Sequence, residues 1–132
     1  VNKNCVLLGT QNPGFEGTLT QNQATMSRFG CINFGYPENI VGPLKAALKD
    51  IADTIPAPIF TACNKLYMEC LQAVNSGEIG DACLNIRGYA RAIRNAVLWD
   101  DDLKGQILMQ VVNTCSDEDK AVLGQKVSLH FE

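Results

Sequence analysis

Six cysteines spread along the chain constrain its fold more than any other feature of the sequence. No C-x-x-C pair is present and His130 is the only histidine, so the spacing matches neither a zinc finger nor a thioredoxin-type redox motif. An even number of dispersed cysteines is typical of a small extracellular domain, and we expect three disulfide bonds. The alternative is six buried, reduced cysteines in a cytosolic protein. The six are Cys5, Cys31, Cys63, Cys70, Cys83 and Cys115.

The composition indicates one soluble domain over residues 1–132. Hydrophobic residues make up 46% and charged residues 19%, as in ordinary globular proteins. The net charge of −3 is too small to favour nucleic acid or an anionic membrane as partner. No apolar stretch has the length of a membrane span, and a chain that starts at Val1 fits a mature protein after signal removal. We therefore expect a secreted, extracellular protein.

The first 42 residues differ from the rest in composition. They contain six of the 11 glycines, two of the five prolines and only four charged residues. Such a segment predicts loops rather than long helices. Cys5 and Cys31 lie within it, and we expect disulfides to pin this loop-rich segment to the remainder of the chain.

From residue 43 to residue 128, apolar residues recur at helical spacing and predict about five helices. The fold class is therefore all-α, a disulfide-stapled bundle with short connections that favour antiparallel neighbours. The closing residues 127–131 alternate in polarity, which predicts an extended tail. The helix boundaries are predicted at Pro43 and Pro56, at Pro58 and Asn75, at an Asp81 cap, after Asp100–Asp102, and at a Ser116 cap.

Antiparallel packing also constrains the disulfide pairing. Folding the third and fourth helices back about residue 100 brings Cys83 level with residue 117, within about half a turn of Cys115, and this pair is our first choice. Cys70 and Cys83 can also meet across the turn between their helices. Cys63 and Cys70 lie seven residues apart on one helix, with Cα atoms roughly 10 Å apart, which is too far for a mutual bond.

With Cys83 bonded to Cys115, two cysteines of the second helix remain for the N-terminal segment. Cys63 and Cys70 would then bind Cys5 and Cys31, in an order that the sequence leaves open. Six cysteines allow 15 pairings in all.

The residues needed for catalysis are poorly represented. His130 is third from the C-terminus, a poor position for a general base. Asp100–Asp102 and Asp117–Asp119 stand at predicted helix starts, where the helix dipole accounts for them, and they lack the alternating spacing of a calcium loop. No glycine-rich phosphate loop is present. We therefore expect no enzymatic activity, no metal site and no cofactor.

One helix carries an ordered basic face. Arg87, Arg91 and Arg94 follow one another at spacings of four and three residues. They indicate either a site for an acidic partner or a solvated face paired with nearby acids. Gly88 in the same helix costs about 1 kcal/mol relative to alanine, which predicts a close approach of another helix, a loop or a ligand.

The aromatic and methionine residues suggest the function that we expect first. A helical scaffold with a hollow apolar interior would make the protein a carrier of a small apolar ligand such as a lipid, sterol or odorant. The alternative for these side chains is ordinary core packing. The predicted ligand-binding residues are Phe29, Phe34, Tyr36, Phe60, Tyr67, Met68, Tyr89, Trp99 and Met109.

The second expectation is a secreted protein-interaction module. Missing catalytic groups together with a rigid disulfide frame are typical of effectors, venom or salivary components and subunits of extracellular assemblies. This hypothesis predicts an exposed apolar patch on Phe15, Phe34 and Tyr36 that binds a protein partner or a second copy.

Overall fold

A computed structural model describes Val6, residues 8–10, Gly30, Ile32 and residues 34–131. The chain forms two compact units, Val1–Phe34 and Gly35–Glu132. The described residues of the first unit have no regular secondary structure. Cys5 and Cys31 lie outside the described residues, so their disulfide bonds stay a prediction, as does the single domain over the whole chain.

The second unit is all-helical in its described part, 35–131, which confirms the predicted all-α class. Short 3-10 turns at Ala52–Thr54, Asp81–Leu84 and Val112–Thr114 connect the helices, and these residues contain no β-strand. Among the described helices, none combines the length and the apolar character needed to cross a bilayer. The five helices are α1 (Val41–Ala47), α2 (Ala57–Asn75), α3 (Ile86–Trp99), α4 (Leu103–Gln110) and α5 (Asp117–His130).

Several helix ends follow directly from the local sequence. Helix α2 starts after Pro56 and ends before Gly77, whose φ of 75° favours glycine. The Asp102 carboxylate accepts hydrogen bonds from the backbone of Lys104 and Gly105 and so caps α4. The Ser116 hydroxyl caps α5 in the same way, by accepting from the backbone N–H of Asp119. These ends confirm the predicted boundaries.

Other boundaries differ from the prediction. The helix expected from Pro43 to Ile55 ends at Ala47 as α1, and the chain continues through a turn in which Ile51 N–H bonds to the carbonyl of Leu48. Leu44, Leu48 and Ile55 are nevertheless all buried. Apolar periodicity predicts which side chains face the core but not the exact backbone conformation. A turn followed by a 3-10 helix can bury the same side chains as a continuous α-helix would.

Two further helix boundaries also differ from the prediction. The helix expected after Asp81 is preceded by the 3-10 turn Asp81–Leu84 and begins at Ile86. The tail expected from Val127 is instead helical through His130, and only Phe131 is extended. Val127 and Phe131, four residues apart, are both buried, whereas Leu129 between them is 78% exposed, so the burial follows helical rather than alternating spacing.

Two tyrosines occupy the centre of the helical unit. Tyr67 on α2 and Tyr89 on α3 are each 0% exposed, and their rings meet edge to face with centroids 6.1 Å apart. Leucine, isoleucine and valine side chains from all five helices pack around them. The centre of the bundle is therefore occupied by side chains.

Candidate functional site

The structure distributes the predicted ligand-binding residues over different environments. Three are buried in the core, where Tyr67 and Tyr89 touch each other and Phe60 has the Lys45 ammonium 5.6 Å from its ring centroid. Met68 is half-buried, and Trp99 and Met109 are exposed. Phe34 belongs to the first unit, and Phe29 and Phe15 lie outside the described residues. The assignment of the nine predicted residues to ligand binding stays a prediction, and so does the apolar interaction patch on Phe15, Phe34 and Tyr36.

Tyr36 is half-exposed and makes a specific polar contact. Its hydroxyl donates a 2.6 Å hydrogen bond to the Asp81 carboxylate, which ties the segment before α1 to the 3-10 turn before α3. This hydrogen bond, together with partial burial, raises the pKa of Tyr36 to about 12. The residue therefore has a structural contact that the sequence did not predict.

Two adjoining grooves open on the helical unit, with volumes of about 300 Å³ and 550 Å³. The start of α2 and the end of α5 line both, with Pro58, Ala62 and His130 in common, and the start of α4 adds to the smaller one. His130 Nε2 lies 2.9 Å from Glu69 Oε1 at their edge. None of the predicted ligand-binding residues that the structure describes lines either groove. Their walls come from segments far apart in sequence, so no local pattern could have revealed them.

Helices α3 and α4 form a closely packed antiparallel hairpin. A Cβ atom added to Gly88 would lie 2.7 Å from the carbonyl oxygen of Gln110, which confirms the close approach expected at this glycine. At the other end, Asp100 reverses the chain in the left-handed conformation, with a φ of 49°. Trp99 immediately precedes this turn, so it stands at the tip of the hairpin.

Side-chain hydrogen bonds connect the two helices near the tip. The Asn95 amide donates to the Gln106 side-chain oxygen at 3.0 Å, and the Gln106 amide donates to the Asp101 carboxylate at 2.6 Å. This second bond lowers the pKa of Asp101, because it stabilises the ionised form. The hairpin is thus held by packing at Gly88 and by polar contacts at the tip.

The predicted basic face divides into paired and unpaired arginines. Both terminal nitrogens of Arg94 lie 2.7 Å from the two carboxylate oxygens of Asp50, a bidentate pair that links α3 to the turn after α1. Arg87 and Arg91 are exposed and have no ion pair with any residue that the structure describes. They leave two cations available on the outer side of α3.

Exposed apolar side chains follow the arginines at the C-terminal end of α3. Leu98 follows Arg87 and Arg91 at spacings of eleven and seven residues, which places all three on one side of the helix. Leu98 is 56% exposed and Trp99, the only tryptophan, is 76% exposed. We call Arg87, Arg91, Leu98 and Trp99 the α3 surface. Sequence analysis identified the arginines and Trp99 separately. Trp99 directly follows Leu98 and lies about 100° round the helix from it, so it borders the side that carries the arginines.

Four cysteines lie in the described residues, and all are buried free thiols. Burial raises the pKa of Cys63 to about 12. The Tyr89 hydroxyl donates to the Cys70 sulfur at 3.9 Å. In the described part of the chain, no three His, Cys, Asp or Glu side chains are grouped so that they could hold a metal ion.

Comparison with protein-family models, with curated proteins and with solved structures finds no match to this chain. The functional argument therefore depends on the surfaces described above. Of these, the α3 surface combines exposed aromatic and aliphatic side chains with unpaired charge on a firmly held helix.

Proposed function

We propose that this chain is a secreted, non-enzymatic protein-interaction module that binds an acidic partner protein through the α3 surface. The observation that carries the proposal is the 76% exposure of Trp99 at the tip of the α3–α4 hairpin. A tryptophan exposed to this extent leaves most of a large apolar ring in water, which is unfavourable in the free protein.

The residue types of the α3 surface match those that dominate binding energy. Tryptophan and arginine are enriched among interface residues whose loss costs more than about 2 kcal/mol of binding free energy. Leu98 lies beside Trp99 and adds a second exposed apolar side chain. The surface thus offers an apolar anchor at one end and hydrogen-bond donors along the helix.

The unpaired arginines determine the chemistry of the partner. Arg87 and Arg91 each present a planar guanidinium, which recognises carboxylates through two parallel hydrogen bonds. The chain as a whole carries a net charge of −3, so its long-range field does not attract an acidic protein. Attraction to acidic side chains then depends on contacts at short range along α3.

The firm support of α3 favours binding without a large entropic cost. Gly88 packs against the α4 backbone, Arg94 is held by Asp50, and Asn95 is bonded to Gln106. A surface that already has its bound conformation loses less freedom on association. These contacts support a preformed docking surface rather than one that folds on binding.

Secretion and disulfide bonding belong to the same proposal. Six cysteines in 132 residues are an unusually high number for a cytosolic protein. Disulfide bonds would keep a small domain folded outside the cell, where a binding module meets its partner.

A position-specific crosslink tests the α3 surface. A photo-crosslinking phenylalanine analogue replaces Leu98 in one full-length variant and the exposed Gln125 of α5 in a control variant. Both are irradiated in extracellular fluid from the natural source, and captured proteins are identified by mass spectrometry. We expect an acidic protein captured at position 98 and absent at position 125. Identical captures at both positions would overturn the proposal.

Charge reversal tests the role of the arginines once the captured partner has been purified. We expect the double variant Arg87→Glu and Arg91→Glu to weaken binding at least about tenfold, because it replaces attraction with repulsion. Lys65→Glu with Lys126→Glu makes the same change in net charge on α2 and α5 and should leave the Kd nearly unchanged. Equal effects of the two double variants would contradict a docking surface on α3.

The open groove beside α2 supports a second candidate, the carrier of a small apolar ligand. Pro58, Ile59, Ala62, Leu103 and Phe131 line its smaller part, whose volume of about 300 Å³ is at the lower end of small-molecule sites. Native mass spectrometry of protein purified from its natural source tests this function. A bound lipid-sized mass that Ala62→Trp removes would favour the carrier, and protein free of ligand would count against it.

A further inference from the structure

We infer that the two adjoining grooves beside α2 together bind a long-chain carboxylic acid, with its carboxylate on the Lys65 ammonium and its hydrocarbon chain on the apolar floor. This ligand class rests on the carrier function proposed above as the second candidate and makes it specific. Charged and apolar side chains lie at different ends of the grooves, and this separation matches an amphiphile with one anionic end.

The apolar floor lies where three helices meet. Ile59 of α2, Leu103 of α4 and Phe131 after α5 line the smaller groove. Ile59 and Leu103 are half-buried and pack against the core, so part of their apolar surface stays in contact with water. Leu129, 78% exposed, adds apolar surface at the larger groove. A hydrocarbon chain on these side chains removes apolar surface of both partners from water, which favours binding.

The larger groove carries the cation. It follows α2 from Ala57 to Lys65, a distance of roughly 12 Å along the helix axis. Among the described residues, no Asp or Glu lines this groove, and Lys65 forms no ion pair with any of them. The Thr61 hydroxyl donates to the Ala57 carbonyl at 3.3 Å, so its proton is already used. The Lys65 ammonium is therefore the donor left for an anionic head group.

The other basic side chains of the two grooves have acids beside them. Lys104 lines the smaller groove together with Asp102, so an anion there meets a carboxylate as well as an ammonium. His130 Nε2 lies 2.9 Å from Glu69 Oε1. Glu69 is one turn beyond Lys65 on α2 but lines neither groove. The charge pattern therefore favours the head group at Lys65 over Lys104.

A single extended chain can connect the two ends. Both grooves share Pro58 and Ala62, so a chain that starts at Lys65 passes these residues and reaches the floor at Ile59 and Leu103 without leaving the surface. A carboxylate forms charge-assisted hydrogen bonds with an ammonium, and the exposed Lys65 lets the head group keep part of its hydration.

Three ligands with the same ten-carbon chain and different charge test this ligand class. Decanoate, decan-1-ol and decyltrimethylammonium are titrated into full-length protein at neutral pH, below micelle formation, and binding is followed by two-dimensional NMR of the backbone amides. We expect decanoate to bind at least about tenfold more tightly than decyltrimethylammonium and about fivefold more tightly than the alcohol, with the largest shifts in residues 57–65.

The pattern of affinities separates the ligand class from the carrier function. Equal Kd values for the three ligands, all lost in Ala62→Trp, would overturn the inference and leave a carrier of neutral apolar molecules. Absence of binding by all three would overturn both.

Two lysine variants with the same loss of charge test the position of the head group. Lys65→Met keeps an unbranched apolar side chain and should weaken decanoate binding about tenfold while the Kd of decan-1-ol stays nearly unchanged. Lys104→Met is the matched control and should leave the Kd of decanoate nearly unchanged. An equal or larger loss of decanoate binding in Lys104→Met would overturn the placement of the carboxylate at Lys65.

Discussion

Gly88 on α3 packs directly against the Gln110 carbonyl at the end of α4, at a separation that leaves no room for a Cβ atom. Gly124 in the middle of α5 has the opposite surroundings, with nothing within 4 Å of the added carbon. Both glycines are helical, Gly88 in the first turn of α3 and Gly124 in the middle of α5, but their steric requirements are opposite.

Replacement of each glycine by alanine should give opposite results. We expect Gly88→Ala to lower the free energy of unfolding by about 1–3 kcal/mol, because the hairpin must separate to admit the methyl group. Gly124→Ala should raise it by about 0.5–1 kcal/mol through helix propensity alone. Urea denaturation followed by circular dichroism measures both, and a stabilised Gly88→Ala variant would contradict the close packing.

The two core tyrosines differ in their hydroxyl groups. The Tyr67 hydroxyl is buried and has no hydrogen-bond partner among the residues that the structure describes, whereas the Tyr89 hydroxyl contacts Cys70 Sγ. We expect Tyr67→Phe to raise the free energy of unfolding by up to about 1 kcal/mol, since it removes a buried, unsatisfied group. Tyr89→Phe should lower it by about 0.5 kcal/mol. A substantial loss of stability in Tyr67→Phe would show that its hydroxyl has a partner in solution.

The Asp50–Arg94 pair should make a pH-dependent contribution to stability. Its hydrogen bonds lower the pKa of Asp50 below the ordinary value of 3.8, so the folded state binds this proton less readily than the unfolded state. The contribution is therefore fully present above pH 3.8 and is lost as the pH falls through the lowered pKa.

A double-mutant cycle with Asp50→Asn and Arg94→Met measures this contribution from thermal or urea denaturation. The coupling should be favourable at pH 7 and should approach zero in strong acid. A coupling that keeps the same size at both pH values would show that the pair does not depend on the Asp50 charge.

The intrinsic fluorescence of the protein should report the exposure of Trp99, because Trp99 is the only tryptophan. We expect red-shifted fluorescence and efficient quenching by acrylamide in the folded protein. Trp99→Ala should change the free energy of unfolding by less than about 0.5 kcal/mol, whereas Tyr89→Ala should cost about 3–5 kcal/mol. A blue-shifted, poorly quenched emission would place Trp99 in an apolar environment and remove the basis for the α3 surface.

The sequence predicted helix ends where a residue acts on its own neighbours. The proline ring of Pro58 favours the first turn of α2, and the positive φ of Gly77 favours a turn just after its end. The Ser116 hydroxyl accepts a hydrogen bond within the first turn of α5. Each of these effects acts within one helical turn of the residue that causes it. It did not predict the turn after α1, because Leu48 and Ile55 remain buried whether the chain between them is α-helical or not.

The candidate site was less predictable for a related reason. Tyr67, Tyr89 and Trp99 are all large side chains on helices, but the first two are in the core and the third is in solvent. Tyr67 and Tyr89 lie within α2 and α3, whereas Trp99 is the last residue of α3, directly before the turn at Asp100. Such long-range placement leaves no periodic signal along the chain.

Asp119 links the first turn of α5 to the loop before the 3-10 turn Asp81–Leu84. Its carboxylate accepts a hydrogen bond from the Gly80 amide, and its own amide donates to the Ser116 cap. Local opening of the first turn of α5 would therefore also release the Gly80 amide. The amide hydrogens of Gly80 and Asp119 would then exchange with solvent in one common opening event.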